Sequence, residues 1–238
     1  MLDGAVVAVV IPAWNEARLI EKTLDSVPTF VDHVVVVDDA SQDLTGAKVR
    51  DAADPRVQLV THPKNRGVGA AIATGYGHAF AAGADIVAVM AADAQMDPTD
   101  LELLLQPISA GEADYVKGDR LSHPDAMFRM PLGRWIGNHA LSQLTRIATG
   151  LDVGDSQCGY TAIGRGAWEV LARERLWPTY GYPNDLLSRA AVARLRVRDV
   201  TVTPIYGSEV SGIRPRHLFT SFPYVLARGL LRRVRHGA

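Results

Sequence analysis

The chain has 238 residues, of which 47% are hydrophobic and 21% charged, with a formal net charge of −1. This composition is typical of a globular protein with a substantial core, and the near-neutral charge argues against nucleic acid as a partner. A single cysteine excludes an internal disulfide and fits a reducing compartment, and no apolar run approaches the roughly 20 residues of a transmembrane helix.

The first half of the chain alternates apolar runs with helical patterns. Predicted strands cover residues 5–11, 33–37, 57–61 and 84–90, and predicted helices cover residues 16–26, 67–82 and 99–108. Strands that alternate with helices predict an α/β fold with a mostly parallel, doubly wound central sheet. No internal repeat or low-complexity linker divides the chain, so we expect a single domain.

Polar residues follow each of these four strands, and in a parallel sheet such ends share one edge. The fourth strand runs into a loop that carries Asp93 and Gln95, whose oxygens suit Mg²⁺ or Mn²⁺. Open α/β sheets bind ligands at this edge. The loop alone is equally compatible with an ordinary strand-to-helix turn, but four polar strand ends together favour a ligand cleft.

The glycines that follow the third strand do not form a nucleotide-binding fingerprint. The stretch from Gly67 lacks the third glycine of G-x-G-x-x-G, and the chain contains no P-loop. The sequence therefore argues against a dinucleotide or P-loop site, although Arg66 and Gly67 at a helix start are suited to facing a phosphate.

Seven segments together resemble the family 2 glycosyltransferases, in the branch that includes dolichyl-phosphate mannose and polyprenyl-phosphate sugar synthases. They occur in the family's order and span nearly the whole chain. The segments are Val10–Glu16, Val37–Asp43, Asn65–Ala70, Ala92–Pro98, Val116–Arg120, Asp155–Tyr160 and Tyr206–Pro215.

The resemblance implies a GT-A fold, a nucleoside-diphosphate sugar as donor and an inverting transfer. It places Pro12, Trp14 and Glu16 around the nucleoside, and it lets Asp38 or Asp39 accept a hydrogen bond from a base N–H. The residues it assigns to nucleotide-sugar binding are Pro12, Trp14, Glu16, Asp38, Asp39, Arg66 and Asp93. A helix cap and turn is the alternative for the aspartate pair.

The metal loop of the family usually reads Asp-x-Asp-x-Gln, and this chain departs from it. Ala91 stands at the first aspartate position, whereas Asp93 and Gln95 match the second and third. We expect either a looser Mg²⁺ or Mn²⁺ site on Asp93 and Gln95, or a metal held mainly by the donor phosphates. A non-catalytic nucleotide-sugar-binding protein is a further alternative.

The residues predicted to act on the acceptor are two arginines and one aspartate. In polyprenyl-phosphate sugar synthases, arginines resembling Arg120 and Arg134 hold the acceptor phosphate, a task that suits the guanidinium fork. A lipid phosphate needs little help from a base, but a hydroxyl acceptor requires one. Asp185 is then the candidate base, with a helix cap as its alternative role, and Cys158 is expected to pack rather than react.

Two features follow in the last part of the chain. Ser211 and Arg214 lie in a stretch that resembles the mobile loop closing over the diphosphate. Beyond it, an amphipathic helix is predicted, with Phe219, Phe222, Leu226 and Leu230 on one side and Arg228, Arg232 and Arg235 on the other. This pattern favours contact with an anionic membrane, and a helix packed on the core is the alternative.

The predicted organisation is a transferase domain over residues 1–215, with a nucleotide-sugar-binding half at 1–118 and an acceptor-binding half at 119–215. The basic helix occupies residues 216–238. The predicted function is transfer of a sugar from a nucleoside diphosphate to a polyprenyl phosphate, at the cytosolic face of the membrane. A soluble glycosyltransferase acting on a metabolite or glycan hydroxyl is the main alternative, and a homodimer stays open.

Overall fold

The computed structural model describes residues 1–206 and 220–237. The strands are β1 Val7–Ala13, β2 His33–Asp38, β3 Val57–Thr61, β4 Ile86–Val89, β5 Tyr115–Asp119, β6 Thr161–Gly164 and β7 Val197–Thr201. The helices are α1 Ile20–Ser26, α2 Thr45–Asp51, α3 Val68–Ala81, α4 Leu101–Ser109, α5 Ala126–Arg129, α6 Leu132–Thr149, α7 Arg165–Leu171, α8 Tyr182–Val192 and α9 Ser221–His236.

The seven strands form one sheet in the order β3-β2-β1-β4-β6-β5-β7. The first four are mutually parallel, β6 is antiparallel to both β4 and β5, and β7 is parallel to β5. Two successive antiparallel pairings restore the original direction, so β5 and β7 end at the same edge as β1, β2 and β4. The loops after Asp38, Val89, Asp119 and Thr201 therefore meet along one edge.

Helices cover both faces of the sheet, and each face has its own core. On one face, side chains of α1, α2 and α4, such as Leu24 and Leu104, pack against β1, β2 and β4. On the other, side chains of α3, α7 and α8, such as Ile72 and Leu187, pack against the same strands. This arrangement confirms the predicted doubly wound α/β architecture.

Helix α3 is built from small residues because it lies very close to the sheet. A Cβ added at Gly75 would overlap Cγ1 of Val10 on β1, and one added at Gly69 would overlap the carbonyl oxygen of Trp177. Gly77 has open space around it. The low side-chain volume of α3 thus sets the distance between helix and sheet.

The last helix, α9, packs against α6 and α8. Phe222, Val225 and Gly229 are buried in this contact, and Arg232 turns inward to Asp185 at 2.6 Å. Membrane contact was predicted for this helix, but tertiary contacts hold the Phe222 and Arg232 side chains, so that prediction is wrong for these two residues and the alternative of a helix packed on the core applies to them. Phe219 lies outside the described residues.

No helix within residues 1–206 or 220–237 is both long enough and apolar enough to span a bilayer.

Candidate active site

The loops after β1 and β2 are joined to each other by hydrogen bonds. The Asn15 N–H donates to Ser41 Oγ at 2.9 Å, the Gln42 N–H donates to Asn15 Oδ1 at 2.8 Å, and the Glu16 N–H donates to Thr45 Oγ1 at 2.8 Å. These bonds delay the start of α1 until Ile20, later than predicted. They leave Trp14, which is half exposed, at the rim beside Pro12.

Asp38 and Asp39 are both buried, but the structure gives them different tasks. Asp39 Oδ1 accepts from the Arg66 N–H at 2.9 Å and contacts His62 Nδ1 at 2.6 Å, while its Oδ2 accepts from the Gly67 N–H at 2.7 Å. Through these contacts Asp39 holds the loop before α3 in place. Asp38 has a different partner, because its Oδ1 accepts from the Ser41 N–H at 2.9 Å.

The N-terminal end of α3 is closed by the protein itself. The carbonyl oxygen of Pro178 accepts from the Ala70 N–H at 3.1 Å, and a Cβ at Gly67 would press against the same oxygen. The idea that Gly67 presents this end to a phosphate is therefore wrong. The Arg66 side chain remains exposed beside His62, with its Nη1 3.4 Å from His62 Nε2.

Glu16, in the loop after β1, is close enough to the loop after β4 for the charge of Asp93 to affect it. Burial, together with the negative charges of Asp93 and Asp43, raises the pKa of Glu16 to about 7. The two carboxylates of Glu16 and Asp93 thus share one electrostatic environment, as expected at a site that receives a cation.

The proposed metal loop is held in a defined shape. Asp93 Oδ1 accepts from the Gln95 N–H at 3.1 Å, and Ala94 between them has a φ of 56°. Within the described residues, no group of three histidine, cysteine, aspartate or glutamate side chains has metal-binding geometry. The oxygen donors of Asp93 and Gln95 and the negative charge around Glu16 fit Mg²⁺ or Mn²⁺, provided that the donor phosphates supply further ligands.

A hydrogen bond connects the metal loop to the segment after β7. Gln95 Nε2 donates to the carbonyl oxygen of Ile205 at 3.3 Å. The next residue, Tyr206, lies between two arginines: Arg120 Nη1 is 3.5 Å from its hydroxyl, and the Arg134 guanidinium carbon is 5.2 Å from its ring centroid. The predicted metal and acceptor-phosphate residues therefore lie along the same edge of the sheet.

Arg120 is oriented by a buried carboxylate that the sequence analysis did not single out. Its Nε donates to Asp155 Oδ2 at 2.7 Å and its Nη2 to Asp155 Oδ1 at 3.2 Å. Burial alone would raise the pKa of Asp155, but the positive charge of Arg120 outweighs it and keeps that pKa below its usual value. The pair is ionised, with the Arg120 Nη1 side turned toward Tyr206.

Asp185 does not belong to this site, and its assignment as a catalytic base is wrong. It is fully buried and forms ion pairs with Arg189 at 2.8 Å and Arg232 at 2.6 Å, while the Trp177 N–H donates to it at 3.0 Å. Burial would raise its pKa, but the two arginines lower it below the usual value. A carboxylate with no open face and two cations on it cannot remove a proton from a substrate.

Two predicted site residues lie outside the described part of the chain, and two residues of the site were not predicted from the sequence. Ser211 and Arg214, the predicted diphosphate-loop residues, lie in the undescribed stretch 207–219. Asp155 and Tyr206 both fall inside segments that carried the family resemblance. Nothing in their spacing assigns them to arginines, because their partners are distant in sequence.

Carboxylates and an amide on one side, and two arginines on the other, thus line one edge of a doubly wound sheet. These groups are suited to a divalent cation on one side and to phosphate oxygens on the other.

Residues 8–170 match the family model "Glycosyl transferase family 2", and the chain belongs to that family. It is 30% identical to UDP-N-acetylglucosamine--dolichyl-phosphate N-acetylglucosaminyltransferase of Methanococcus voltae, with 90% of each chain covered. It is 32% identical to undecaprenyl-phosphate mannosyltransferase of Micrococcus luteus, over 83% of this chain and 82% of that one.

The fold also resembles solved structures. Glucosyl-3-phosphoglycerate synthase from Mycobacterium tuberculosis, in complex with Mn²⁺, UDP and glucosyl-3-phosphoglycerate, superposes with a TM-score of 0.71. The comparison covers 97% of this chain and 80% of that chain at 24% identity. At this identity the likeness establishes the shared fold.

Proposed function

We propose that this glycosyltransferase moves a sugar, with inversion, from a nucleoside diphosphate to a polyprenyl phosphate, assisted by Mg²⁺ or Mn²⁺. The names of the relatives from Methanococcus voltae and Micrococcus luteus support this acceptor class. A third relative, 29% identical over 95% of this chain, is polyprenol monophosphomannose synthase of Mycolicibacterium smegmatis.

The observation that carries the proposal is the convergence of Arg120 and Arg134 on Tyr206. Two guanidinium groups from different elements, one on the loop after β5 and one on α6, approach the same side chain. Burial raises the pKa of Tyr206, so its hydroxyl remains a donor. Two arginines and a hydroxyl are a donor set for a phosphate.

A phosphate acceptor also explains the chemistry without a base. A phosphate oxygen, already anionic, attacks the anomeric carbon while the bond from that carbon to the diphosphate breaks and its electron pair leaves with the diphosphate. No proton has to be removed, which agrees with the burial of Asp185. The role of Arg120 and Arg134 is to hold the acceptor phosphate in place against the charge of the donor.

The donor side is assigned to the loops after β1, β2 and β4. Pro12, Trp14 and Asp38 would contact the nucleoside, and Asp93 and Gln95 would hold the divalent cation. The cation would neutralise the departing diphosphate. Glu16 would contribute negative charge next to Asp93 in place of the carboxylate that Ala91 lacks.

A lipid acceptor is favoured by the surface of α6, the helix that carries Arg134. Leu132, Ile136, Leu144 and Ile147 on this helix are exposed. A polyprenyl chain needs an apolar path away from its phosphate, and the exposed apolar side chains of α6 offer apolar surface on the same helix as Arg134. We therefore assign contact with the polyprenyl chain of the acceptor to α6.

A soluble phosphorylated acceptor is the second candidate. A solved structure with the same fold contains phosphoglyceric acid, and two arginines would hold any phosphate equally well. The exposed apolar side chains of α6 would then have no part in the reaction.

The decisive experiment is a transfer assay with radiolabelled nucleotide sugars and two acceptors, short-chain polyprenyl phosphate in detergent and phosphoglyceric acid. We expect label only in the lipid product. Arg134→Gln should lower lipid turnover strongly while leaving donor binding intact, and Arg129→Gln, on the exposed α5, is the matched control. Donor binding without glycolipid from any donor would refute the lipid acceptor.

A further inference from the structure

A cavity lies outside the candidate active site, between α7, α8 and α9. It has a volume of about 470 Å³. None of the residues assigned to donor, metal or acceptor lines it. Its lining residues are Val170, Leu171, Arg173, Glu174, Arg189, Val192, Ala193, Arg228, Leu231, Arg232, Arg235 and His236.

The cavity has an excess of positive charge. Arg189 and Arg232 share two carboxylates: Asp185 contacts them at 2.8 and 2.6 Å, and Glu174 contacts Arg232 at 3.2 Å. Among the described residues, no carboxylate lies within 4.0 Å of the other two outer arginines, Arg173 and Arg235, and Arg228 reaches Asp185 only at 4.0 Å. Three cations at the mouth of the cavity thus lack a close counter-ion.

The wall of the cavity also contains a hydrogen-bond donor without a partner. Arg189 is only 7% exposed, and its Nη atoms are bound by Asp185 and by backbone carbonyls, including that of Glu174 at 2.8 Å. Its Nε is buried and has no acceptor among the described residues. An unpaired donor on a buried cation costs stability, which a nearby anion would reduce.

The rest of the lining is apolar. Val170 and Leu231 are both partly exposed beside the arginines, and Leu171 and Val192 lie deeper. A small hydrophilic anion would leave this surface in contact with water. A phosphate carried on an apolar group would use both parts of the cavity.

We propose that the cavity between α7, α8 and α9 binds the phosphate of an anionic amphiphile, with Arg173, Arg228 and Arg235 as its contacts. The apolar lining favours a phospholipid headgroup as the source. This site is separate from the site of sugar transfer and does not depend on the acceptor assigned above. It would give the enzyme an attachment to anionic lipid that leaves Arg120 and Arg134 free.

The test compares the full chain with the triple variant Arg173→Gln, Arg228→Gln and Arg235→Gln. Co-sedimentation is measured at low ionic strength with vesicles of phosphatidylcholine alone, or of phosphatidylcholine mixed with phosphatidylglycerol. We expect binding only to the mixed vesicles, and a fall of about a hundredfold in the triple variant. A second triple variant, Lys22→Gln, Arg50→Gln and Arg198→Gln, removes the same charge from other elements and should bind like the wild type.

A second arm identifies the source of the phosphate. In this arm glycerol phosphate is added and the Tm is measured. If no vesicles are bound, but the Tm rises in the wild type and the Lys22/Arg50/Arg198 control and not in the Arg173/Arg228/Arg235 variant, the site binds a soluble phosphate. Equal behaviour of both triple variants, or no response to either probe, would overturn the proposal. The single variant Arg235→Glu, near the exposed end of α9, repeats the test should the triple variant not fold.

Discussion

Asp185 on α8 and Arg232 on α9 form a buried ion pair, with Oδ1 and Nη1 2.6 Å apart. Arg189 completes the group at 2.8 Å from the other carboxylate oxygen. The pair ties the last helix to the transferase core, because α9 contacts the rest of the described chain mainly through α8 and α6. A residue that the sequence suggested as a base is thus a structural anchor.

Asp185→Asn should therefore destabilise the fold and spare the chemistry. Removing one partner of a buried ion pair leaves uncompensated charge, so we expect the free energy of unfolding to fall by about 3 kcal/mol. Turnover per folded molecule should change little. Urea unfolding and steady-state assays measure the two effects. As a control, Glu174→Gln removes an exposed partner of Arg232 and should lower the free energy of unfolding by under about 1 kcal/mol. A large loss of turnover in folded Asp185→Asn would instead support Asp185 as the catalytic base.

The contribution of Asp185 should also depend on pH. Its pKa in the folded protein is lower than in the unfolded chain, where it is about 4. The unfolded state therefore takes up a proton first on acidification, and the stabilisation is complete above that value and lost as pH falls through the folded pKa. The gap in unfolding free energy between wild type and Asp185→Asn should narrow below about pH 4. A gap that widened on acidification would contradict this assignment.

Asp155 should act as a positioning residue for Arg120. It is fully buried and does not face the cleft, but it fixes two of the guanidinium nitrogens. Asp155→Asn should raise the KM for the acceptor by about tenfold to a hundredfold, because a small displacement of a phosphate-binding group is costly. Donor affinity should stay the same. Asp152→Asn, an exposed substitution in the same loop, is the control, and a variant altered only in donor affinity would argue against this role.

The metal loop can be tested by restoring the missing carboxylate. Ala91→Asp should strengthen Mn²⁺-dependent donor binding by about tenfold, since ligand charge tunes affinity for hard cations. Ala91→Asn has nearly the same size without the charge and should have little effect. Titration of Mn²⁺ in the presence of the nucleotide sugar measures both, and EDTA should abolish turnover of the wild type. If turnover continues in the presence of EDTA, the reaction does not require a divalent cation.

Alanine substitutions at two glycines of α3 should change the free energy of unfolding in opposite directions. Gly75→Ala inserts a methyl group against Val10 and should lower the free energy of unfolding by about 1–3 kcal/mol. Gly77→Ala, on the open side of the same helix, should raise it by about 0.5–1 kcal/mol through helix propensity. Denaturant unfolding of both variants would show whether α3 lies as close to the sheet as described. Equal effects would mean that it does not.

Local pattern in the sequence determined the first four strands and their order along the chain. The strand at 57–61 has the predicted bounds, because hydrophobic periodicity follows directly from which face of an element is buried. It also placed Asp38 and Asp93 at the same edge of the sheet, since parallel strands must end together. The family resemblance added the roles of Arg120 and Arg134, which remain proposals.

Only the tertiary structure decided which charged groups are partners. Asp39 follows β2, Asp155 lies in the loop between α6 and β6, and Asp185 lies in the first turn of α8, but no local pattern identifies their partners. Asp155 meets an arginine 35 residues away, and Asp185 meets one 47 residues away. These pairings depend on how sheets and helices pack, and no local period encodes them. The same packing turned Arg232 inward and left Arg228 and Arg235 at the mouth of the cavity between α7, α8 and α9.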